Sequence, residues 1–273
     1  MIRLAIRVEH SRAETVLAEL LELAPGGLEE RELAGGAVEF AIYRAPGELP
    51  ELPQLRAAAG DALVDVSSSE VPDDWSERWK AFHRPVDVSW RLRSLRIRPP
   101  WEAPLEGGGI DVVIDPGQAF GTGAHHTTRL CLELLLELAP DGGLADWGCG
   151  SGVLAIAAAR LGWDPVLACD HDPAAIAATR ANALANDVSG IAVERADLRR
   201  APGPWAPTVA ANLVRPLLIG VAELMTRPPR RLIASGLLRE EAEEVAAAFA
   251  RHGLREAGRR CGGEWAALLL ATG

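Results

Sequence analysis

Residues 1–8 alternate polar and apolar side chains, the period-two signature of a half-buried strand. Ser11-Arg12-Ala13-Glu14 has the spacing of a capping box, in which Ser11 accepts from the backbone at Glu14 while Glu14 reaches back. Behind it Val16, Leu17, Leu20, Leu21 and Ala24 recur at helical spacing, and Pro25-Gly26-Gly27 stops the helix. Leu28 to Leu33 and Ala37 to Tyr43 read as two strands joined by a turn at Gly35-Gly36. A second helix, Leu52 to Leu63, and a strand, Leu63 to Ser67, complete a β-α-β-β-α-β order, the ferredoxin-like pattern.

Residues 71–110 read as a connector. Asp73 opens a short helix that puts Trp75, Trp79 and Phe82 on one face, as a seam cover or a stacking surface. Arg91 and Arg93, then Arg96 and Arg98, fall in pairs at period two and predict one solvated face of a strand over Trp90 to Pro100. From residue 111 the pattern changes again. Short apolar runs at Leu144 to Trp147, Val166 to Asp170, Ile191 to Glu194, Thr208 to Leu213 and Arg231 to Ser235 are separated by amphipathic helices. These helices are Gly152 to Leu161, Pro173 to Asn186, Arg215 to Met225 and Glu240 to His252. That alternation predicts a mostly parallel sheet covered by helices on both faces. Leu254 to Arg259 and Trp265 to Ala271, joined across Gly262-Gly263, predict an antiparallel hairpin on its edge. The expected organisation is therefore an α+β module over 1–70, a connector over 71–110 and an α/β domain over 111–273.

Composition narrows the functional classes. With 48% hydrophobic residues among 273, the chain can offset its ordering entropy, so disorder is excluded as its main state. No uncharged run approaches the about 20 apolar residues of a membrane-spanning helix, and the N-terminus lacks a signal peptide's apolar stretch. A cytoplasmic protein is expected. Cys131, Cys149, Cys169 and Cys261 are too scattered for a disulfide framework or a zinc site, and reduced, packed thiols are expected. A net charge of -10 argues against nucleic-acid binding through the overall field and favours a basic protein partner. Residues 1–70 concentrate the acidity, with 6 basic and 13 acidic side chains.

Candidate chemistry lies at strand ends. Asp146-Trp147-Gly148-Cys149-Gly150-Ser151-Gly152 closes the first strand of the parallel sheet, where glycines let a ligand approach the backbone. A dinucleotide fingerprint needs glycine at position 153, which is Val, and neither a Walker lysine nor a Gly-x-Ser-x-Gly elbow is present. Asp170, at the tip of the second strand, suits a ribose diol, while Asp172 caps the helix that begins at Pro173. Asn212, at the tip of the fourth, offers an uncharged donor and acceptor to the same crevice. A site that must hold an amine while leaving it nucleophilic has use for that; hydride transfer does not. Asp115 to Thr128 is a loop of glycine, hydroxyl and small residues around Phe120, in which His125 and His126 lack a third metal ligand.

Phe120-Gly121-Thr122-Gly123-x-His125-x-Thr127-Thr128 resembles the signature loop of the PrmA family, the ribosomal protein L11 methyltransferases. Asp146 to Gly152, Asp170-His171-Asp172-Pro173, Ala211-Asn212-Leu213, Ser235-Gly236-Leu237-Leu238 and Glu264-Trp265 are similar to that family's blocks, in the same order. The connector residues Trp75, Trp79, Lys80 and Pro99-Pro100-Trp101 are similar too. The resemblance implies a class I, Rossmann-like methyltransferase domain behind a small module that recognises the substrate. It implies S-adenosylmethionine held by Thr128, Gly148, Gly150, Asp170 and Asn212 with the loop residues Phe120, Gly121 and Thr122. It also implies that Asn212 acts on the amine, that no metal is used, and that the substrate is the basic ribosomal protein L11, methylated on its N-terminal α-amine and lysines by a monomeric enzyme. Trp147 and the stretch Val214-Arg215-Pro216 depart from the family's usual residues. Two other functions remain: methylation of RNA or a small metabolite, and an NAD-dependent oxidoreductase, which Val153 and Asn212 disfavour.

Overall fold

The alternating N-terminus forms strand β1 (Ile2–Glu9), followed by helix α1 (Ala13–Leu23), strands β2 (Glu29–Leu33) and β3 (Ala37–Arg44), helix α2 (Leu52–Ala59) and strand β4 (Leu63–Glu70). The computed structural model describes residues 2–24, 28–33, 36–44, 49–70, 83–104, 109–116 and 123–273. It divides into two units, residues 1–82 and 83–273.

In the first unit the sheet order is β2-β3-β1-β4, with every neighbouring pair antiparallel. Register pairs Leu4 with Ile42, Ile6 with Phe40 and Val8 with Val38. All six side chains are buried, as are Val16 and Leu20 of α1 and Leu55 of α2. The opposite face carries charge. Glu39, only 4% exposed, accepts hydrogen bonds from Arg3 Nη2 at 2.6 Å and Arg7 Nε at 2.8 Å. Tyr43 Oη donates to Glu29, and burial pushes its pKa up to about 12.

Local details differ from the sequence reading. Ser11 lies in a 3-10 turn (His10–Arg12), and α1 starts from Arg12 without a side-chain cap, so the capping box at Ser11 and Glu14 does not form. A capping box instead opens α2, where Glu51 and Gln54 exchange bonds ahead of a helix-compatible proline at position 53. The stop at Pro25-Gly26-Gly27, Gly35 of the turn and the helix carrying Trp75, Trp79 and Phe82 lie outside the described residues.

The second unit opens with β5 (Val86–Trp90), β6 (Arg93–Arg98) and β7 (Ile110–Val113), a three-stranded sheet in that order. Trp90 to Pro100 is therefore not a single strand, because Arg91, at φ 51°, turns the chain between β5 and β6. The arginines do not share a solvated face either. Arg96 pairs with Asp87 and Arg98 with Asp111, while Arg93 donates to the carbonyls of Leu136 and Leu138.

Helix α3 (His126–Glu137) precedes β8 (Leu144–Trp147), α4 (Val153–Leu161), β9 (Val166–Asp170), α5 (Pro173–Ala185) and β10 (Ile191–Arg195). Then come β11 (Thr208–Asn212), α6 (Arg215–Leu224), β12 (Arg231–Leu238), α7 (Ala242–Ala250), β13 (Leu254–Gly262) and β14 (Trp265–Thr272). The large sheet runs β10-β9-β8-β11-β12-β14-β13. Its first five strands are parallel, and β14 and β13 add an antiparallel edge. Strand order reverses between β8 and β11, and α/β sheets open their ligand crevice at such a point.

Truncating the buried acid of the first unit should expose the cost of unpaired arginines. Glu39→Ala is expected to lose about 1–3 kcal/mol of stability at pH 7, read by urea unfolding. The arginine contacts hold the Glu39 pKa below its ordinary value. This contribution is therefore fully present above the unfolded carboxyl's pKa and disappears as pH falls through the folded one.

Candidate functional site

The backbone after β8 cannot continue as a strand, because Gly148 and Gly152 adopt φ of 75° and 81°. A Cβ on Gly148 would stand 2.4 Å from Leu213 Cδ2, and one on Gly152 would stand 2.8 Å from Thr179 Cγ2. Both backbone shape and space thus demand glycine. The turn is pinned to the neighbouring strand: Gly148 N and Cys149 N both donate to the carbonyl of Cys169, at 2.9 and 3.0 Å.

Asp170, 8% exposed at the end of β9, binds the same turn. Its Oδ2 accepts from Gly150 N at 3.0 Å, and its Oδ1 from Asp172 N at 3.0 Å. A carboxylate can accept about four hydrogen bonds, so capacity remains for a vicinal diol. Asp172 caps α5 as the sequence predicts, accepting from Ala174 N.

At the end of β11, Asn212 Nδ2 donates to Thr128 Oγ1 at 3.2 Å, joining the tip of the sheet to the first turn of α3. That turn is built by His125, whose side chain is the N-cap. His125 Nδ1 accepts from Thr127 N, lies 2.8 Å from Thr127 Oγ1, and its ring packs edge-on against Trp265 with centroids 4.9 Å apart. Burial, helped by His126, lowers the His125 pKa to about 4, so the ring is neutral near pH 7.

The structure therefore brings Thr128, Gly148, Gly150, Asp170 and Asn212 to the same end of the parallel sheet. Phe120, Gly121 and Thr122 lie outside the described residues. Three of the four cysteines are buried as expected; Cys261 is exposed. Among the described residues no group of three His, Cys, Asp or Glu side chains could hold a metal, and no helix is long and apolar enough to cross a membrane. The unusual Trp147 fits because its Nε1 donates to Pro204 O, with Gly203 packed on its ring.

Sequence reasoning overlooked α3 and two buried groups. Asp146, 1% exposed, accepts from Ala155 N through Oδ2, and its Oδ1 has no hydrogen-bond partner. Desolvation, reinforced by Asp170, pushes its pKa up to about 7. The second group is a row of polar side chains on α5, whose signal was asparagine recurring at 182 and 186 in an alanine-rich helix.

A model of the family "Ribosomal protein L11 methyltransferase (PrmA)" matches residues 50–272. The chain belongs to this family. A ribosomal protein L11 methyltransferase of Azotobacter vinelandii is 41% identical over 220 residues, 77% of this chain and 73% of that protein. One from Symbiobacterium thermophilum is 36% identical over 262 residues, 92% and 84% of the two chains. The match to the Heliobacterium modesticaldum protein, 39% identical, spans 72% of this chain but 63% of that relative. Among solved structures, the ribosomal protein L11 methylase of Lactobacillus delbrueckii subsp. bulgaricus is 27% identical, with a TM-score of 0.60, covering 68% of this chain and 98% of that one.

Membership in PrmA implies S-adenosylmethionine as methyl donor, and the crevice fits a nucleoside of that kind. Asp170 keeps acceptor capacity for a ribose diol beside Gly150 of the glycine turn. The class I, Rossmann-like methyltransferase fold and the small ferredoxin-like unit both follow the sequence reading.

Asp146 should leave a signature in stability. Its pKa is raised on folding, so between about pH 4 and pH 7 the unfolded chain releases a proton that the folded chain keeps. Stability should fall as pH rises through that window, by at most about 1.4 kcal/mol per pH unit from this group. Asp146→Asn should flatten that slope in urea-unfolding curves measured at each pH.

Proposed function

We propose that this chain transfers methyl groups from S-adenosylmethionine to amines of ribosomal protein L11, its N-terminal α-amine and lysine ε-amines. The observation that carries the reading is the Asn212–Thr128 hydrogen bond, which sets an uncharged amide at the sheet tip beside the glycine turn. When bound, S-adenosylmethionine supplies an electrophilic methyl group. Asp170 would hold the ribose diol, Gly148 and Gly150 would admit the nucleoside to the backbone, and Thr128 would line the same site. Phe120, Gly121 and Thr122 are assigned to covering it.

Attack on that methyl requires an amine lone pair, so the amine must be neutral. Asn212 spends one Nδ2 hydrogen on Thr128, which leaves Oδ1 turned to accept an N–H of the incoming amine and aim its lone pair. A carboxylate there would stabilise the ammonium form; the amide does not. His125 is neutral, but its Nδ1 is engaged by Thr127. The proton therefore leaves to water before transfer. The chain contributes alignment and desolvation, worth up to about 7–11 kcal/mol in well-oriented reactions.

The first unit would capture the substrate. Its excess of acidic side chains, with exposed Glu30 and Glu32 on edge strand β2, complements a basic protein and should raise the association rate. A cytoplasmic monomer meets these requirements.

Mass spectrometry of L11 incubated with the protein and S-adenosylmethionine is expected to show added methyl groups. Label appearing only on RNA or a small molecule would replace this reading with the rival methyltransferase. Asn212→Ala is expected to lower the transfer rate about 100-fold at saturating cofactor, and an unchanged rate would remove its role. Replacing Glu30 and Glu32 with Gln should slow L11 association and flatten its salt dependence in stopped-flow mixing.

A further inference from the structure

Helix α5 carries three buried polar side chains along one stripe: Thr179, Asn182 and, at its C-cap, Asn186. Their exposures are 0%, 3% and 5%. Asparagine is a poorer helix former than the alanines around it, and a buried amide costs stability unless it is bonded. The stripe therefore reports partners, which are backbone groups apart from the Cys149 thiol that Thr179 Oγ1 also meets at 3.3 Å.

Thr179 Oγ1 donates to the Gly150 carbonyl at 3.0 Å, on the glycine turn. Asn186 takes the place of a neighbouring strand beside β7, its Oδ1 accepting from Val113 N at 2.7 Å and its Nδ2 donating to Val113 O at 2.6 Å. Asn182 does both jobs at once. Its Nδ2 donates to Ser151 O at 2.9 Å, on the turn, and its Oδ1 accepts from Asp115 N at 3.0 Å, at the start of the segment that ends in Thr128.

One carboxamide thus ties together two pieces of backbone 36 residues apart in sequence, the glycine turn and the chain just after β7. The turn carries Gly148 and Gly150. Asp115 lies two residues beyond the end of β7. Only a side chain that donates on one side and accepts on the other satisfies both. Leucine of similar size can do neither. Ionised aspartate keeps the acceptor for Asp115 N but turns a second oxygen toward the Ser151 carbonyl.

We propose that Asn182 is a positioning residue for the methyl transfer: by tying the Ser151 carbonyl to the Asp115 amide it holds the glycine turn that carries Gly148 and Gly150 in place for the nucleoside. This rests on the methyltransferase reading. Asn186, equally buried on the same helix but with its side chain bonded to Val113 and the helix backbone rather than to the turn, is the control for a merely structural role.

The test measures S-adenosylhomocysteine binding by calorimetry, amide hydrogen exchange at Asp115, and thermal unfolding, for the full chain and for Asn182→Leu, Asn182→Asp and Asn186→Leu. Asn182→Leu is expected to weaken binding about tenfold or more and to speed exchange at Asp115. Asn186→Leu is expected to lower the melting temperature by a similar amount while binding stays within about twofold of wild type. Asn182→Asp should bind weakly at pH 8 and recover as pH falls, because a protonated acid again donates and accepts. If Asn182→Leu does not fold, the pH-dependent recovery of Asn182→Asp decides the matter. Unchanged affinity and unchanged Asp115 exchange in the Asn182 variants, or equal affinity losses in the two Leu variants, overturn the proposal. Failure of the wild-type protein to bind S-adenosylhomocysteine overturns the methyltransferase reading instead, and Asp115 exchange still reports on the clamp.

Discussion

The crevice depends on a peptide backbone gripped from both sides. In front, Cys169 O receives two successive amides, and Asp170 receives a third from Gly150. Behind, Thr179 and Asn182 take the carbonyls of Gly150 and Ser151. With carbonyls fixed on one side and amides on the other, the peptide planes of the turn cannot swing. Left-handed glycines make that path accessible, and the hydrogen bonds make it unique. On the proposed function, a nucleoside would meet a preformed wall whose ordering cost was met during folding.

The same packing explains Asp146. Sealing the base of the turn against β9 and α4 leaves this carboxyl fully buried with one backbone donor, on Oδ2. The neutral acid is the form such an environment favours, which is why its pKa rises while the neighbouring Asp170, partly open and rich in donors, is placed to meet a ligand. Two acids 24 residues apart in sequence thus differ in role through burial and hydrogen bonding.

The parallel sheet and the strand-tip residues were legible because each rests on a local signal: apolar runs of four to six residues, glycines at 148, 150 and 152, an acid at 170 and an amide at 212. The ferredoxin-like order was legible for the same reason. What escaped depends on long-range partners. The arginines at 91 to 98 looked like one face because period two was read through a tight turn at Arg91. Ser11 has the right spacing for a cap, yet a 3-10 turn takes that position. Helix α3 was hidden beneath the attention drawn by the loop before it. Asn182 and Asn186 were read only as part of a helix, since their value lies in backbone atoms 67 and 73 residues away.

An uncharged tip has a consequence for selectivity. On the proposed function, Asn212, held by Thr128, would offer its Oδ1 in a fixed geometry, which would suit any unhindered neutral amine and distinguish poorly between an α-amine and a lysine side chain. Discrimination must then come from what delivers the amine. Residues 71–273 hold 22 basic and 25 acidic side chains, close to balance, whereas residues 1–70 hold 6 and 13. The electrostatic bias that could select a basic protein thus resides mainly in the unit without the crevice. On the proposed function, chemistry and selection would be carried by separate parts of the chain, and the first unit could diverge in sequence without disturbing the turn, the carboxylate or the amide.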